Sequence, residues 1–182
     1  MMKEDVILYQ EFLDGNMKAF DTLMDKYMEK LIFFIHSFVK NLDTAEDLAQ
    51  DVFVYILVNK QKFNSKYSLK TYLFLIGKCR ALNYIKKEKR IIPLEENRVD
   101  TDIINIEELV LIDEEKERLL KSIDSLNPPL NRAVFLADIE NLPYKDICKI
   151  LDMSMPKVKS LIFRGRKKLK ELVVKEEKFY DR

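Results

Sequence analysis

The chain has 182 residues, 47% of them hydrophobic, which is enough apolar material for one ordinary domain or two small ones and argues against wholesale disorder. Charged residues interrupt every apolar run and the first residues lack the order of a signal peptide, so we expect a cytoplasmic protein without membrane insertion. A single histidine and two distant cysteines, Cys79 and Cys148, indicate no metal site, cofactor, disulfide framework or enzymatic activity, and we expect both thiols to be buried and free.

The net charge of +1 conceals an uneven distribution of charge along the chain. Residues 60–90 hold ten Lys or Arg and one acid, residues 91–118 hold ten acids and three bases, and residues 157–170 hold seven bases and no acid. Two basic blocks separated by an acidic segment suggest two surfaces that face a polyanion such as nucleic acid. The alternative is that these blocks are ordinary solvated helix faces.

The first half of the chain reads as helical, because glycine and proline are scarce and apolar residues recur every three or four positions. A short helix over residues 6–13 is expected to end near Gly15, and a longer helix with a continuous apolar stripe follows it. Asp43 and Glu46 have the form of a box that starts a third helix, and Ser68 can cap a fourth. The fourth helix is expected to turn these residues inward: Leu69, Tyr72, Leu73, Ile76 and Ile85.

The helical pattern breaks around Pro93 and resumes in a second group of helices. We therefore predict an all-α fold with two small helical domains, residues 1–92 and residues 113–182, joined by an acidic linker over residues 93–112. The second domain is expected to contain a helix that ends near Asn127, helices over residues 130–139 and 144–151, and a last helix capped by Ser154.

The last two predicted helices have the pattern of a helix-turn-helix. The last one separates an apolar side, which would pack on the helix before it, from a basic side suited to phosphates and to guanine. Phe163 on the basic side is either a contact to a thymine methyl or part of the core. The alternative to a helix-turn-helix is a helical hairpin whose basic face is merely solvated. The apolar side holds Val158, Leu161, Ile162, Gly165 and Leu169, and the basic side holds Lys157, Lys159, Ser160, Phe163, Arg164, Arg166, Lys167 and Lys170.

Two surfaces of different chemistry are expected in the first domain. Acidic and polar residues of the third helix share one exposed face, which suits a protein partner with basic residues better than DNA. After that helix, aromatic residues alternate with basic ones, a pattern that suits single-stranded DNA because unpaired bases stack on rings. The alternative for the acidic residues is an ordinary exposed helix face. The alternative for the aromatic residues is that their rings fill the core. The acidic face holds Glu46, Asp47, Gln50 and Asp51, and the basic region holds Phe63, Tyr67, Lys70, Lys78, Arg80, Lys86 and Lys87.

Several motifs follow one another along the chain: AFDTLMDKY, TAEDLAQDVFVYI and KFNSKYSLKTYLFLIGKCRALNYIKKEKR in the first domain, and LNPPLNRAVFLADIENLPYKDICKILDMSMPKVKSLIFRGRKKLKEL in the second. In these motifs the sequence resembles the extracytoplasmic-function (ECF) group of the sigma-70 family of bacterial RNA polymerase sigma factors. The resemblance implies a protein that directs core polymerase to promoters and assists DNA opening. Its implied partners are core RNA polymerase (β′ clamp helices and β flap), promoter DNA and an anti-sigma factor.

The resemblance also implies roles for particular residues. Core polymerase binding is implied for Glu46, Asp47, Gln50, Asp51 and Phe53. Recognition of the −10 element is implied for Phe63, Asn64, Tyr67, Lys70, Tyr72, Lys78, Arg80, Lys86 and Lys87. Recognition of the −35 element is implied for Lys157, Lys159, Ser160, Phe163, Arg164, Arg166 and Lys167. The acidic linker resembles the segment that threads toward the RNA exit channel.

The sequence departs from the family at four positions, where Tyr72, Cys79, Asn83 and Lys157 replace the usual tryptophan, asparagine, aspartate and threonine. These departures bear on the −10 sequence preference and on the first base contacts of the −35 helix. A helix-turn-helix regulator with a dimerisation or sensing domain is the alternative, although it needs no acidic face beside an aromatic, basic loop. An enzyme is a weak third alternative. The single histidine, His36, lies among aromatic residues typical of a core, which makes it a poor candidate for a catalytic base.

Overall fold

The computed structural model describes residues 2–63, 67–91 and 114–180 of the chain. Along these ranges every regular element is helical, which confirms the all-α prediction. The chain divides into two compact units, Met1–Ile103 and Ile104–Arg182. The predicted linker over residues 93–112 and Asn64 of the predicted −10 surface lie outside the described residues. Within the described part of the chain, no helix is long and apolar enough to cross a membrane.

The first unit contains four packed helices and a short 3₁₀ turn at Lys60–Lys62. The helices are α1 (Met2–Leu13), α2 (Met17–Val39), α3 (Leu42–Val58) and α4 (Leu69–Ile91). α2 packs against each of the other three, and α3 also packs against α4. The core follows the apolar stripes of the sequence, because removing these large side chains from water is the main favourable term in folding. His36 is fully buried in this core, in line with its aromatic neighbours.

The start of α3 differs from the prediction. The side chain of Asn41 accepts a hydrogen bond from the backbone N–H of Thr44 at 2.8 Å, so Asn41 is the N-cap. The predicted box of Asp43 and Glu46 therefore lies inside the first turns of the helix. Asn41 takes the capping position because its side chain reaches a backbone donor that has no partner within the helix.

The start of α4 agrees with the prediction. The hydroxyl of Ser68 accepts a hydrogen bond from the backbone N–H of Thr71 at 3.1 Å and caps the helix. Of the residues predicted to face inward, Leu69 and Leu73 are buried, whereas Tyr72, Ile76 and Ile85 are half-buried. α4 therefore has a fully packed beginning and a more open middle and end.

The second unit contains α5 (Glu114–Asp124), α6 (Leu130–Val134), a π-helical segment (Phe135–Ile139), α7 (Tyr144–Leu151) and α8 (Met155–Tyr180). The helix predicted over residues 130–139 is present, but its second half is wider than an α-helix. The backbone N–H of Glu140 donates to the carbonyl of Phe135, five residues back, at 3.0 Å. α8 packs against α5, α6 and α7 and is the central helix of this unit.

α7 and α8 form the predicted helix-turn-helix. Asp152 adopts the left-handed conformation (φ 57°) and reverses the chain between the two helices. Pro156 lies in the first turn of α8, where its missing N–H costs nothing. Gly165 lets α8 approach α6 closely, because a Cβ at that position would overlap the side chain of Val134.

Candidate protein and nucleic-acid interfaces

The acidic surface of α3 is present and continues into an apolar surface. Asp47, Gln50 and Asp51 are exposed, and Glu46 is half-buried. Three large apolar residues farther along the same helix are also exposed, the last of them to 76% of its area: Val54, Leu57 and Val58. We call the six exposed residues the docking face: Asp47, Gln50, Asp51, Val54, Leu57 and Val58. Contiguous exposed apolar side chains beside charges are typical of a protein–protein contact.

The apolar half of the docking face was missed in the sequence. Val54 and Val58 follow Asp47 at intervals of seven and eleven residues, which places all three along one side of an α-helix. The signal that could have identified it is an apolar residue on the same side of the helix as the acidic residues. That side is different from the one that carries the core residues Ala49 and Val52.

Phe53 does not belong to the docking face, contrary to the role implied for it. Its side chain is only 3% exposed and packs edge-on against the ring of Phe20, with the ring centroids 6.2 Å apart. Phe53 lies four residues after the buried Ala49 and three before the buried Ile56, which places it on the buried side of α3. Phe53 therefore holds α3 against α2 and presents no surface to a partner.

A pocket of about 550 Å³ lies beside α4 in the first unit. Its walls combine tyrosine rings with two basic side chains and one exposed thiol. The Lys62 ammonium is 5.8 Å and the Arg80 guanidinium 5.6 Å from the centroid of the Tyr55 ring, so both cations lie against an aromatic face. The lining residues are Tyr55, Lys62, Tyr67, Tyr72, Leu75, Ile76, Cys79, Arg80 and Asn83.

Two side chains of this pocket are exposed, one against the prediction and one in line with the predicted stacking ring. Cys79 is exposed, so the expectation that it would be buried is wrong; the other free thiol, Cys148, is half-buried. Tyr67 is 39% exposed, so its ring is open to solvent beside the pocket. Both are available to a molecule that enters the pocket.

Phe63 is closer to the core interpretation than to an open stacking platform. Its ring is half-buried, 4.6 Å from the ring of Tyr9 and 5.4 Å from the ring of Tyr72 between centroids. The Tyr9 hydroxyl donates a hydrogen bond to the carbonyl of Lys60 at 2.9 Å. Burial, with a smaller contribution from Tyr72, raises the pKa of Tyr9 to about 12, which keeps this donor protonated. α1 thus fixes the chain that leads into the pocket.

Tyr72 forms part of the pocket wall. Burial raises the pKa of its hydroxyl above the ordinary value, and the nearby Tyr55 raises it further. The position that carries tryptophan in the family is therefore filled by a smaller ring that is held in place from two sides, by Phe63 and by Tyr55.

Lys70 is not part of the basic surface, although it was predicted to be. Its residue is only 8% exposed, and its ammonium lies 5.9 Å from the centroid of the Tyr27 ring on α2. It occupies the first turn of α4, the part of that helix that is packed against the unit. The remaining basic residues predicted on α4 are accessible: Lys78 and Arg80 are half-buried, and Lys86 and Lys87 are exposed.

The predicted basic side of α8 is exposed from Lys157 to Lys170. Val158, Leu161, Ile162 and Gly165 are buried on the opposite side, so the helical periodicity separated the two sides correctly. Phe163 is 71% exposed, which excludes the reading of this ring as partial core. The exposed residues are Lys157, Lys159, Ser160, Phe163, Arg164, Arg166 and Lys167.

Arg166 differs from its neighbours on that side, because it is already paired. Its Nε and Nη2 atoms donate to the two carboxylate oxygens of Asp138 at 3.0 and 2.5 Å. These hydrogen bonds raise the pKa of Arg166 above its ordinary value against the opposing effect of burial, and Tyr144 adds to the rise. Among the described residues, no ion pair involves Arg164.

Comparison with known families identifies both units. Residues 23–91 match the family model described as Sigma-70 region 2, and residues 116–169 match the one described as Sigma-70, region 4. The two matches together cover more than half of the chain. The first contains the docking face and the whole pocket lining, and the second contains the helix-turn-helix.

Two curated relatives extend the similarity over nearly the whole chain. The ECF RNA polymerase sigma-E factor of Escherichia coli (strain K12) is 27% identical over 173 residues, which are 89% of this chain and 90% of the relative. The RNA polymerase sigma-H factor of Pseudomonas aeruginosa is 28% identical over 175 residues, which are 90% of this chain and 91% of the relative.

Two solved structures share the fold. CnrH in complex with the cytosolic domain of CnrY has a TM-score of 0.60 at 22% identity and covers 93% of this chain and 97% of that one. The sigma factor RpoE in complex with the anti-sigma factor NepR from Bartonella quintana has a TM-score of 0.61 at 20% identity and covers 86% and 97%. Since both family regions occur in order in one chain of matching length, the chain belongs to the ECF group of the sigma-70 family and is a sigma factor that acts in transcription initiation.

Proposed function

We propose that this sigma factor uses three separate surfaces, one for core RNA polymerase, one for the opened −10 element and one for the −35 element, and that it carries out no catalysis of its own. The observation that carries the proposal is the pocket of the first unit, in which tyrosine rings and cations are combined beside α4. A duplex-binding regulator has no use for such a pocket, whereas a protein that holds unpaired bases needs one.

The docking face suits the contact with polymerase. Asp47 and Asp51 supply negative charge for steering and register, and Val54 and Val58 supply apolar area that water leaves on association. By analogy with the family, we assign this face to the β′ clamp helices of core polymerase, and a second contact to the β flap to the other unit. An acidic surface is poorly suited to DNA, so this side of α3 faces protein.

The pocket suits an unpaired base of the −10 element. An extruded base can stack on the exposed ring of Tyr67, while Lys62 and Arg80 hold the flanking phosphates. Capture of a base outside the duplex stabilises the opened form and so assists melting. Farther along α4, the exposed Lys86 and Lys87 extend the positive surface along the upstream backbone.

The exposed side of α8 suits the major groove of the −35 element. Lys157, Lys159 and Ser160 are exposed in the first turns of α8. In a helix-turn-helix, it is this N-terminal end of the second helix that contacts the bases in the groove. Phe163 stands out far enough to meet a thymine methyl, and Arg164 is available to read guanine or to hold a phosphate. Lys167 adds attraction to the backbone without sequence information.

An anti-sigma factor is the remaining proposed partner. RpoE was solved with the anti-sigma factor NepR, and CnrH with the cytosolic domain of CnrY, and both share this fold. A protein that covers the docking face or α8 would hold this sigma factor inactive until it is released. The same proposal places the protein in the cytoplasm with the polymerase, and places the acidic linker near the RNA exit channel.

The proposal is tested by mixing the purified protein with bacterial core polymerase and transcribing a pool of upstream regions from the host. The expected result is a stable complex and transcripts with defined start sites, whose upstream sequences reveal the −35 and −10 elements. Sequence-specific binding to duplex DNA by the protein alone, without any affinity for core polymerase, would instead identify a helix-turn-helix regulator.

The docking face is tested with Asp47→Lys combined with Asp51→Lys, which reverses two charges on an exposed surface without touching the core. We expect loss of polymerase binding with unchanged helicity. Asp21→Lys combined with Asp25→Lys is the matched control, because these two exposed acids of α2 have the same spacing and sign. Equal losses in both variants would show that net charge, and not the docking face, controls binding.

A further inference from the structure

Arg166 on α8 makes its main contact within the protein, although it points from the exposed side of its helix. Its fork of two N–H groups meets both oxygens of Asp138, 28 residues earlier in the chain, and the carboxylate is the less exposed partner. Tyr144, the first residue of α7, lies close enough to the same guanidinium to add to the rise in its pKa. Parallel hydrogen bonds between a planar fork and a carboxylate fix the relative orientation of the two groups as well as their distance.

The three residues of this contact come from three different elements. Asp138 lies in the π-helical segment, Tyr144 begins α7, and Arg166 lies at the middle of α8. The π-helical segment is held by bonds that α-helices lack, including the Leu142 N–H to the carbonyl of Leu136 at 3.0 Å. The π-helical segment ends just before the loop into α7. The position of the Asp138 carboxylate therefore depends on the same backbone that leads into the helix-turn-helix.

A contact from Arg166 to DNA would require this arrangement to be given up. A phosphate would have to compete with a carboxylate that is already in place, and the charge of Arg166 is balanced locally by Asp138. Arg164 and Lys167 on the same exposed side have no ion pair among the described residues and keep their full charge for DNA. The two arginines of the sequence RGR therefore have different roles, although they are two residues apart.

We propose that Arg166 is a positioning residue that, through Asp138 and Tyr144, sets the orientation in which α8 presents Lys159, Phe163 and Arg164 to the −35 element, and that it makes no essential DNA contact itself. This inference rests on the proposed role of α8. It predicts that removal of either partner of the ion pair has the same consequence for DNA binding, even though the two removals change the net charge in opposite directions.

The experiment measures the dissociation constant of the holoenzyme for a duplex carrying the −35 element of a promoter found by run-off transcription, at several salt concentrations. Arg166→Ala and Asp138→Ala are expected to weaken binding by a similar factor, on the order of tenfold, and the double variant no further, as for residues of one network. The slope of log affinity against log salt should stay unchanged. Lys167→Ala is the control and should lower that slope by about one phosphate contact.

Two further variants separate positioning from a general loss of structure. Asp138→Arg combined with Arg166→Asp restores the pair in the opposite sense and is expected to recover most of the affinity. Arg166→Lys keeps the charge but not the two-pronged geometry, so it should bind more weakly than the wild-type protein with the same salt slope. The docking face lies in the first unit, so variants that keep their fold should retain most of their affinity for core polymerase.

The inference is overturned if Asp138→Ala binds as well as or better than the wild-type protein while Arg166→Ala binds weakly with a lower salt slope, because Arg166 would then be a phosphate contact. Failure of the charge exchange to recover any affinity would count against it as well. Failure of the proposed function is a different result, since the wild-type holoenzyme itself would then show no preference for the −35 duplex.

Discussion

Gly165 is the position at which a single methyl group should disturb the −35 surface most. α8 passes α6 there so closely that a Cβ would overlap Cγ2 of Val134 and lie 3.6 Å from the carbonyl oxygen of Leu130. Val134 is fully buried, and its branched Cβ leaves it few other rotamers. The methyl group of Gly165→Ala must therefore push the two helices apart, and α8 would change its angle to the rest of the unit.

The size of the effect follows from two opposing contributions. Replacement of glycine by alanine inside a helix stabilises it by about 1 kcal/mol, whereas an added methyl group in a well-packed core typically costs about 1–3 kcal/mol. The overlap with a stiff side chain places Gly165→Ala at the upper end of that cost, so we expect a net loss of about 1–2 kcal/mol. For a domain of this size, each 1 kcal/mol lowers the melting temperature by roughly 4–8 °C.

Gly77→Ala on α4 is the matched control. A Cβ there would lie 2.8 Å from Cδ1 of Leu31, which is the far end of a flexible side chain and can move. The gain in helix propensity should then offset the packing cost, and the variant should be nearly neutral.

Both variants are measured in the full chain by thermal and urea unfolding, followed by circular dichroism, together with the affinity for the −35 duplex. Gly165→Ala should unfold earlier and bind the −35 element more weakly, while the docking face of the first unit keeps most of the affinity for core polymerase. A Gly165→Ala protein as stable as the wild type would refute the reasoning, because it would show that Val134 can give way.

Three further predictions concern aromatic residues. Phe163→Ala should change the free energy of unfolding by no more than about 0.5 kcal/mol, because the ring is largely exposed. It should weaken binding to the −35 duplex by about 1–3 kcal/mol if the ring meets a thymine methyl. Unchanged affinity would show that Phe163 does not contact the DNA. Tyr67→Ala should weaken binding of single-stranded −10 DNA by the holoenzyme by about 1–3 kcal/mol, with −35 affinity as the internal control. Tyr9 has a pKa raised from 10.0 to about 12, so it contributes stability that is complete below pH 10 and is lost as the pH rises toward 12. The urea midpoint of Tyr9→Phe should therefore fall less steeply than that of the wild-type protein between these pH values; parallel curves would contradict the assignment.

The helices could be predicted because their causes are local. The bounds of Tyr144–Leu151 and the cap at Ser68 follow from spacing and from side chains next to the helix ends. The start of α3 was placed wrongly because Asn41 and the pair of Asp43 and Glu46 are both plausible caps, and only the backbone path selects between them. The π-helical segment gave no signal, since its residues fit an α-helix equally well in the sequence.

The candidate surfaces were predicted less completely than the helices. Helical periodicity placed Lys157 to Lys167 on one exposed side of α8, and it correctly separated Asp47 and Asp51 from the core of the first unit. The same periodicity did not distinguish an available side chain from one that is already in use. Lys70 lies against Tyr27, and Phe53 packs on Phe20.

The sequence by itself determined the order of the helices, the separation of each helix into an apolar and a polar side, and the family, because all three depend on residue types at regular spacing within short stretches. Only the tertiary structure decided which polar residues face an open surface and which have a partner. The pairing of Arg166 with Asp138, the aromatic contacts that hold Phe63, and the pocket beside α4 each join segments that are distant in the chain. Spacing along one helix gives the direction in which a side chain leaves that helix, but not what a distant segment places opposite it.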